Sequence, residues 1–141
     1  MKNYVIPFLL SGVLLQGCAP STVGGVRALG EKRSYSFVTP ENYQSVYRKV
    51  LRQERKCWET GLITAQILVQ CDLYTDIKSG TISVSNHGGF GVDTYQVVDI
   101  SDVDGKTKVV AHYSLGPVQK YGKILKDWVV DSSEDCSGSG G

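Results

Sequence analysis

Residues 62–74, LITAQILVQCDLY, constrain the fold more than any other stretch of the chain. Ile63, Ala65, Ile67, Val69, Cys71 and Leu73 take every second place, with Thr64, Gln66, Gln70, Asp72 and Tyr74 between them. Leu68 is the one strongly apolar residue on the polar side. A period of two sends successive side chains to opposite faces, so the stretch reads as a long strand buried on one face. Sheets that face water on one side are antiparallel. Such a strand needs partners at its edges and a layer over its apolar face.

The flanking residues supply both. In SYSFVTPEN, Tyr35 and Phe37 alternate with serines and predict a short strand. Thr39 then Pro40 predicts a helix start, the hydroxyl capping free amides and the proline pre-set for the first helical position. Tyr43, Val46, Tyr47, Val50, Leu51, Cys57 and Trp58 recur at three- and four-residue steps. They form the apolar stripe of a helix of about 18 residues, with Gly61 as its stop. After the long strand, DIKSG predicts a turn, TISVS a strand with Ile82 and Val84 inward, and NHGGFG a loop. TYQVVDI and TKVVAHYSL then predict a hairpin about SDVDGK, where Asp104-Gly105 suits a tight turn. A last helix begins at LGPVQ, with Tyr121, Ile124, Leu125 and Trp128 on its stripe. A chain of 141 residues is enough for one domain. The expected architecture is an α+β two-layer sandwich over residues 34–136. It has an antiparallel sheet of about four strands, the short first strand as a candidate fifth, and two helices on one face.

The chain ends carry a different message. Lys2 precedes an apolar run, Tyr4 to Leu15, that falls short of the roughly 20 residues a bilayer span needs. Its length and flanks fit a secretory signal over residues 1–17. Leu15, Gln16, Gly17 and Cys18 resemble the lipobox of bacterial lipoproteins. Leu15 and Gly17 match the motif well; Gln16 stands where a small residue is commoner. The resemblance implies cleavage between Gly17 and Cys18, a diacylglycerol on the Cys18 thiol, and an acyl chain such as palmitate on the new amino terminus. Ala19 implies the outer membrane, facing the periplasm. More widely, LLQGC, NYQSVYRKVLRQERKC, DLYTDIKSGTISV and KDWVVDSSEDC resemble a loose group of small bacterial lipoproteins with an α+β periplasmic domain. That likeness implies a cell-envelope location and this topology, and no known activity. Residues 18–33 then read as the lipidated cysteine and a flexible tether, spanning roughly 20–25 Å as a coil. Residues 137–141 read as a disordered tail. Removal of Lys2 leaves 14 basic against 14 acidic residues, a balance with no global field to gather nucleic acid.

With Cys18 given to lipid, Cys57, Cys71 and Cys136 remain for an oxidising compartment, where disulfides persist. The lipoprotein resemblance implies Cys57 with Cys136. Geometry offers a rival: in a simple meander the last helix would end nearer Cys71, so Cys71 with Cys136 stays open, as does Cys57 with Cys71 or no bridge.

The polar residues form no complete catalytic or metal motif. His87 and His112 are far apart in sequence, whereas zinc needs three or four convergent ligands, so no metal and no cofactor are expected. His112 alternates with Ala111 and Tyr113 and is expected to face solvent. HGGFG (87–91) resembles an oxyanion loop only superficially, because no GxSxG elbow accompanies it. It reads as a glycine-rich connection fit for binding. In DISDVDG (99–105), the twelfth position of a calcium loop would be Val110, so the motif fails. Arg48, Lys49, Arg52, Arg55 and Lys56 form a basic helix face, a candidate surface for anionic lipid or an acidic partner. Glu54 falls among apolar positions, and Lys123 or Lys126 is the expected counter-ion. The leading expectation is a non-catalytic envelope lipoprotein, a binding or structural module. The alternatives are an inhibitor or immunity lipoprotein that binds a hydrolase, and an envelope hydrolase assembled from His87, Asp93 and Asp72.

Overall fold

The computed structural model describes residues 20–61 and 65–137. The signal segment, Cys18 and its lipobox, Ile63 and the last glycines lie outside the described residues. Within them the order is α1 (Val23–Arg27), a 3-10 turn (Glu31–Arg33), β1 (Ser34–Thr39), α2 (Tyr43–Trp58), β2 (Thr60–Gly61), β3 (Ala65–Tyr74), β4 (Ser79–Gly88), β5 (Gly91–Val103), β6 (Lys106–Tyr113) and α3 (Val118–Val130). The strands form one antiparallel sheet in the order β1-β6-β5-β4-β3-β2. Five strands are substantial, and the two-residue β2 covers only the start of the β3 edge.

The α+β class and the antiparallel sheet agree with the sequence, and the strand count rises. Two-residue alternation along β3 holds, with Val69 buried and Ile67 and Cys71 half-buried. The short first strand is a full partner of β6, from Ser34 opposite His112 to Thr39 opposite Thr107. That pairing locks Thr39 into the ladder, so the cap of α2 passes to Asn42, whose side chain accepts from the Gln44 amide at 2.9 Å. The NHGGFG loop shrinks to a tight turn because β4 continues to Gly88 and β5 starts at Gly91. Asp104 and Gly105 both take positive φ, 54° and 78°, as the expected tight turn between β5 and β6 demands.

The main core lies between α2, α3 and one sheet face. Val46, Val50, Ile82, Val84, Val98, Ile100, Val109, Leu125 and Val129 fill it. Two glycines permit close approach. A Cβ on Gly122 of α3 would sit 2.1 Å from Tyr35 Cγ, and one on Gly80 of β4 would sit 2.6 Å from Tyr47 Cδ2. The helix backbone therefore rests on the Tyr35 ring, and the Tyr47 ring rests on the β4 backbone.

Part of the opposite sheet face, along β5 and β6, is covered too, which corrects the reading of a flexible tether over its described residues, 20–33. From Pro20 to Arg33 the chain is a strap laid on that face. The Thr94 amide donates to the Pro20 carbonyl at 2.9 Å, and Thr22 caps α1 through Gly25. Val26 is fully buried. Arg27 makes a two-pronged contact with Asp99, its Nε at 2.8 Å from Oδ2, and also donates to Thr81. Arg33 donates to the Tyr113 carbonyl at 2.9 Å. Val97 and Asp99 alternate with Val98 and Ile100, so α1 sits on the side away from α2 and α3. Burying Val26 against a strand whose Val97 is itself fully buried removes apolar surface from water on both partners.

The segment after α3 is also fastened. Cys136 is bridged to Cys57 with Cα atoms 5.3 Å apart, and the Trp128 indole donates to the Asp135 carbonyl at 2.7 Å. Cys71 is the free cysteine among the described residues, so neither alternative pairing forms. The DSSED stretch crosses back to the end of α2, where Lys56 also pairs with Glu134.

Candidate functional site

A break in the β4–β5 ladder builds the site. Val84 faces Gln96, but Ser85 faces Thr94, which leaves Tyr95 without an opposite number. Such a bulge re-aims the side chains around it. Here both Tyr95 and Gln96 reach the helix side of the sheet. Ser114, just past β6, holds the bulge in place: its amide bonds the Tyr95 carbonyl at 2.9 Å and its hydroxyl the Thr94 carbonyl at 2.7 Å.

Over the bulge lies a cavity of about 290 Å³. Its described walls are Trp58 from the end of α2, Ile67 of β3, Tyr95 and Gln96 of β5, Tyr113 of β6, Leu115, and Tyr121 of α3. Two ring pairs set its shape. Trp58 and Tyr95 have centroids 6.3 Å apart, and Tyr113 and Tyr121 have theirs 5.9 Å apart, both tilted. The volume is at the lower end of ordinary ligand pockets, which start at roughly 300 Å³ and are mostly apolar with a few placed polar groups.

The polar groups are unusual. Gln96 donates its side-chain amide to Oε1 of Glu54, a fully buried carboxyl of α2. Glu54 Oε2 and the Tyr113 hydroxyl are both buried without a hydrogen-bond partner. Burial pushes the Glu54 carboxyl up to about 8, with the Gln96 bond pulling the other way. At neutral pH it is therefore predominantly the neutral acid, which can donate a hydrogen bond. Burial also raises the Tyr113 phenol, and proximity to Glu54 adds to it. The expected ion pair with Lys123 or Lys126 does not form. Lys123 is exposed and pairs with Asp127 at 2.8 Å, while Glu54 points into the sheet and meets an amide instead.

The other candidates are dispersed. His87 and Asp93 lie at the β4–β5 turn, but Asp72 faces Thr81 at the far end of β3, about 20 Å along a strand from Gln66, which faces His87. The three do not converge. His112 is covered rather than solvent-facing: the strap leaves its side chain 16% exposed, with Nε2 at 3.6 Å from Asp99, and burial lowers its pKa. In the acidic stretch 99–105, Asp99 is bound to Arg27 and Asp102 accepts from the Gly105 amide. No group of three or more potential ligand side chains among the described residues is arranged to hold a metal ion. On the basic face Arg48 and Arg52 are exposed, whereas Lys49 pairs with Glu41, Arg55 with Glu59 and Lys56 with Glu134. Much of that face's charge is thus neutralised within the molecule.

Trp58, Tyr113 and Tyr121 sit on positions whose apolar character was plain in the sequence. The pairing of Tyr95 with Gln96 was missed, because a strict period of two sends neighbours to opposite faces. No described helix is long and apolar enough to cross a membrane. No protein-family model and no curated protein matches the chain.

Proposed function

We propose that the protein is a membrane-anchored cell-envelope lipoprotein whose α+β domain is a binding module, and that the bulge cavity holds its ligand. The ligand class is a small, mainly apolar molecule carrying one hydrogen-bonding group. The observation that carries this reading is a cavity walled by four aromatic rings, with the polar side chains of Gln96 and Tyr113 among its wall residues. An apolar wall rewards removal of carbon from water, and a polar group placed in it rewards a single matching group on the ligand. The described walls carry neither a nucleophile beside a base nor paired acids, which favours binding over turnover.

The test uses N-phenyl-1-naphthylamine, a neutral apolar fluorophore whose amine supplies one polar group. Saturable uptake at one molecule per chain is expected, accompanied by a change in Trp58 emission. Ile67→Trp fills the cavity from β3, and it should abolish uptake while leaving the far-ultraviolet circular dichroism unchanged. Uptake that never saturates, or that persists in a folded Ile67→Trp protein, overturns the assignment.

A further inference from the structure

The strap changes where the domain stands relative to its anchor. If residues 19–33 were a coil, the domain would float. Instead Pro20 is already bonded to Thr94 on β5, and Val26 and Arg27 fix the strap beyond it. Cys18 is two residues before Pro20, and two residues reach at most about 7 Å. Whatever lipid Cys18 carries must therefore lie close to the Thr94 end of the sheet.

That end bears the β4–β5 hairpin. Its tip, Gly88-Gly89-Phe90-Gly91-Val92, has no charged residue, and His87 and the exposed Asp93 flank it. Phe90 is fully exposed, and Val92 is 36% exposed. Phe90 is four residue steps from Thr94, about 13 Å along an extended chain. The opposite end of the sheet is charged instead, with Asp76 and Lys78 in one turn and Asp102, Asp104 and Lys106 in the other. A lone aromatic on an uncharged tip beside a lipid attachment point meets the requirements of an interfacial wedge, which buries roughly 5–10 Å deep at the boundary of headgroups and acyl chains. The cavity lies at this end as well, since Ile67, Tyr95, Tyr113 and Leu115 all belong to it.

We infer that the β4–β5 hairpin is a membrane-docking tip: Phe90 inserts into the bilayer surface beside the lipid on Cys18, and the domain is held against the membrane with its cavity at the lipid interface. This rests on the lipoprotein reading above. The occupant of the exposed tip is lipid, not a second copy or a protein partner.

The experiment uses the full chain, expressed in bacteria, purified from membranes in detergent and reconstituted into phosphatidylethanolamine vesicles containing bromine-labelled phosphatidylcholine. Phe90→Trp and, separately, Ile77→Trp are compared with the parent protein, whose own tryptophans set the background. Ile77 is 67% exposed in the turn at the opposite end, so it controls for exposure alone. The expected result is that the fluorescence added at position 90 is largely lost to bromine quenching and that at position 77 is not. Equal emission at both positions, or quenching at 77 alone, overturns the docking. The mass of the amino-terminal peptide is measured on the same samples. If lipid is absent from Cys18, the lipoprotein reading falls and the docking with it. If lipid is present and position 90 is unquenched, only the docking falls.

Discussion

Glu54 shows how one residue couples the core to pH. Its carboxyl titrates near 4.3 in an unfolded chain and near 8 in the fold, so between those values the unfolded state releases a proton that the folded state keeps. For an acid raised in this way, stability is highest below pH 4 and falls as pH climbs toward 8. The slope approaches roughly 1 kcal/mol per pH unit. Glu54→Gln removes the titrating proton while keeping an oxygen for Gln96. Urea denaturation from pH 5 to pH 8 should show a falling midpoint in the parent and a flatter one in the variant, the two diverging most at pH 8. Parallel curves would mean that Glu54 is not the source. The sequence marked Glu54 as buried, because helical spacing set it among apolar positions. Its partner was not legible. A neutral acid needs an amide rather than a cation, and Gln96 reaches it only because of an irregularity in β5.

The strap is the element that most changes the expected architecture, and it can be probed alone. Arg27→Ala breaks the contact with Asp99 and Thr81, both at a partly exposed site, so the global loss should be about 1 kcal/mol or less. The local effect should be larger. Hydrogen exchange over Thr22–Gly30 and at the Thr94 amide should quicken, while α2 stays protected. Unchanged exchange over the strap would show that Val26 burial alone holds it. The long elements were legible because their periods are clean: α2, α3 and β3 each follow one rule over many residues. The strap was not, because residues 19–33 are too short and glycine-rich to show a period. A signal did exist elsewhere. Val97 and Val98 are adjacent, and both are fully buried, which a strand covered on one face cannot accommodate. Likewise the strict alternation that located β3 hid the bulge in β5, since a single extra residue is invisible to a two-residue rule.

At the scale of the whole molecule, the Cys57–Cys136 bridge spans 79 residues and ties the end of the chain to the end of α2. Closing a loop of that length contributes about 2–4 kcal/mol, chiefly by restricting the unfolded chain. Denaturation with and without reductant should differ by that amount, and Cys71→Ser should leave the difference intact. If reduction costs nothing, the contacts of Trp128 and Lys56 already hold the terminal segment. The same long span appears in the sheet. β1 is made early, yet its partner among the described residues is β6, and the Arg33 to Tyr113 bond bridges 80 residues. A ribosome must therefore finish most of the chain before the first strand finds its neighbour. Native contacts that distant are slow to form. Until they do, β1 waits without its neighbour. Short separations thus favour early pairing of the successive strands β3 to β6, with β1 joining them last.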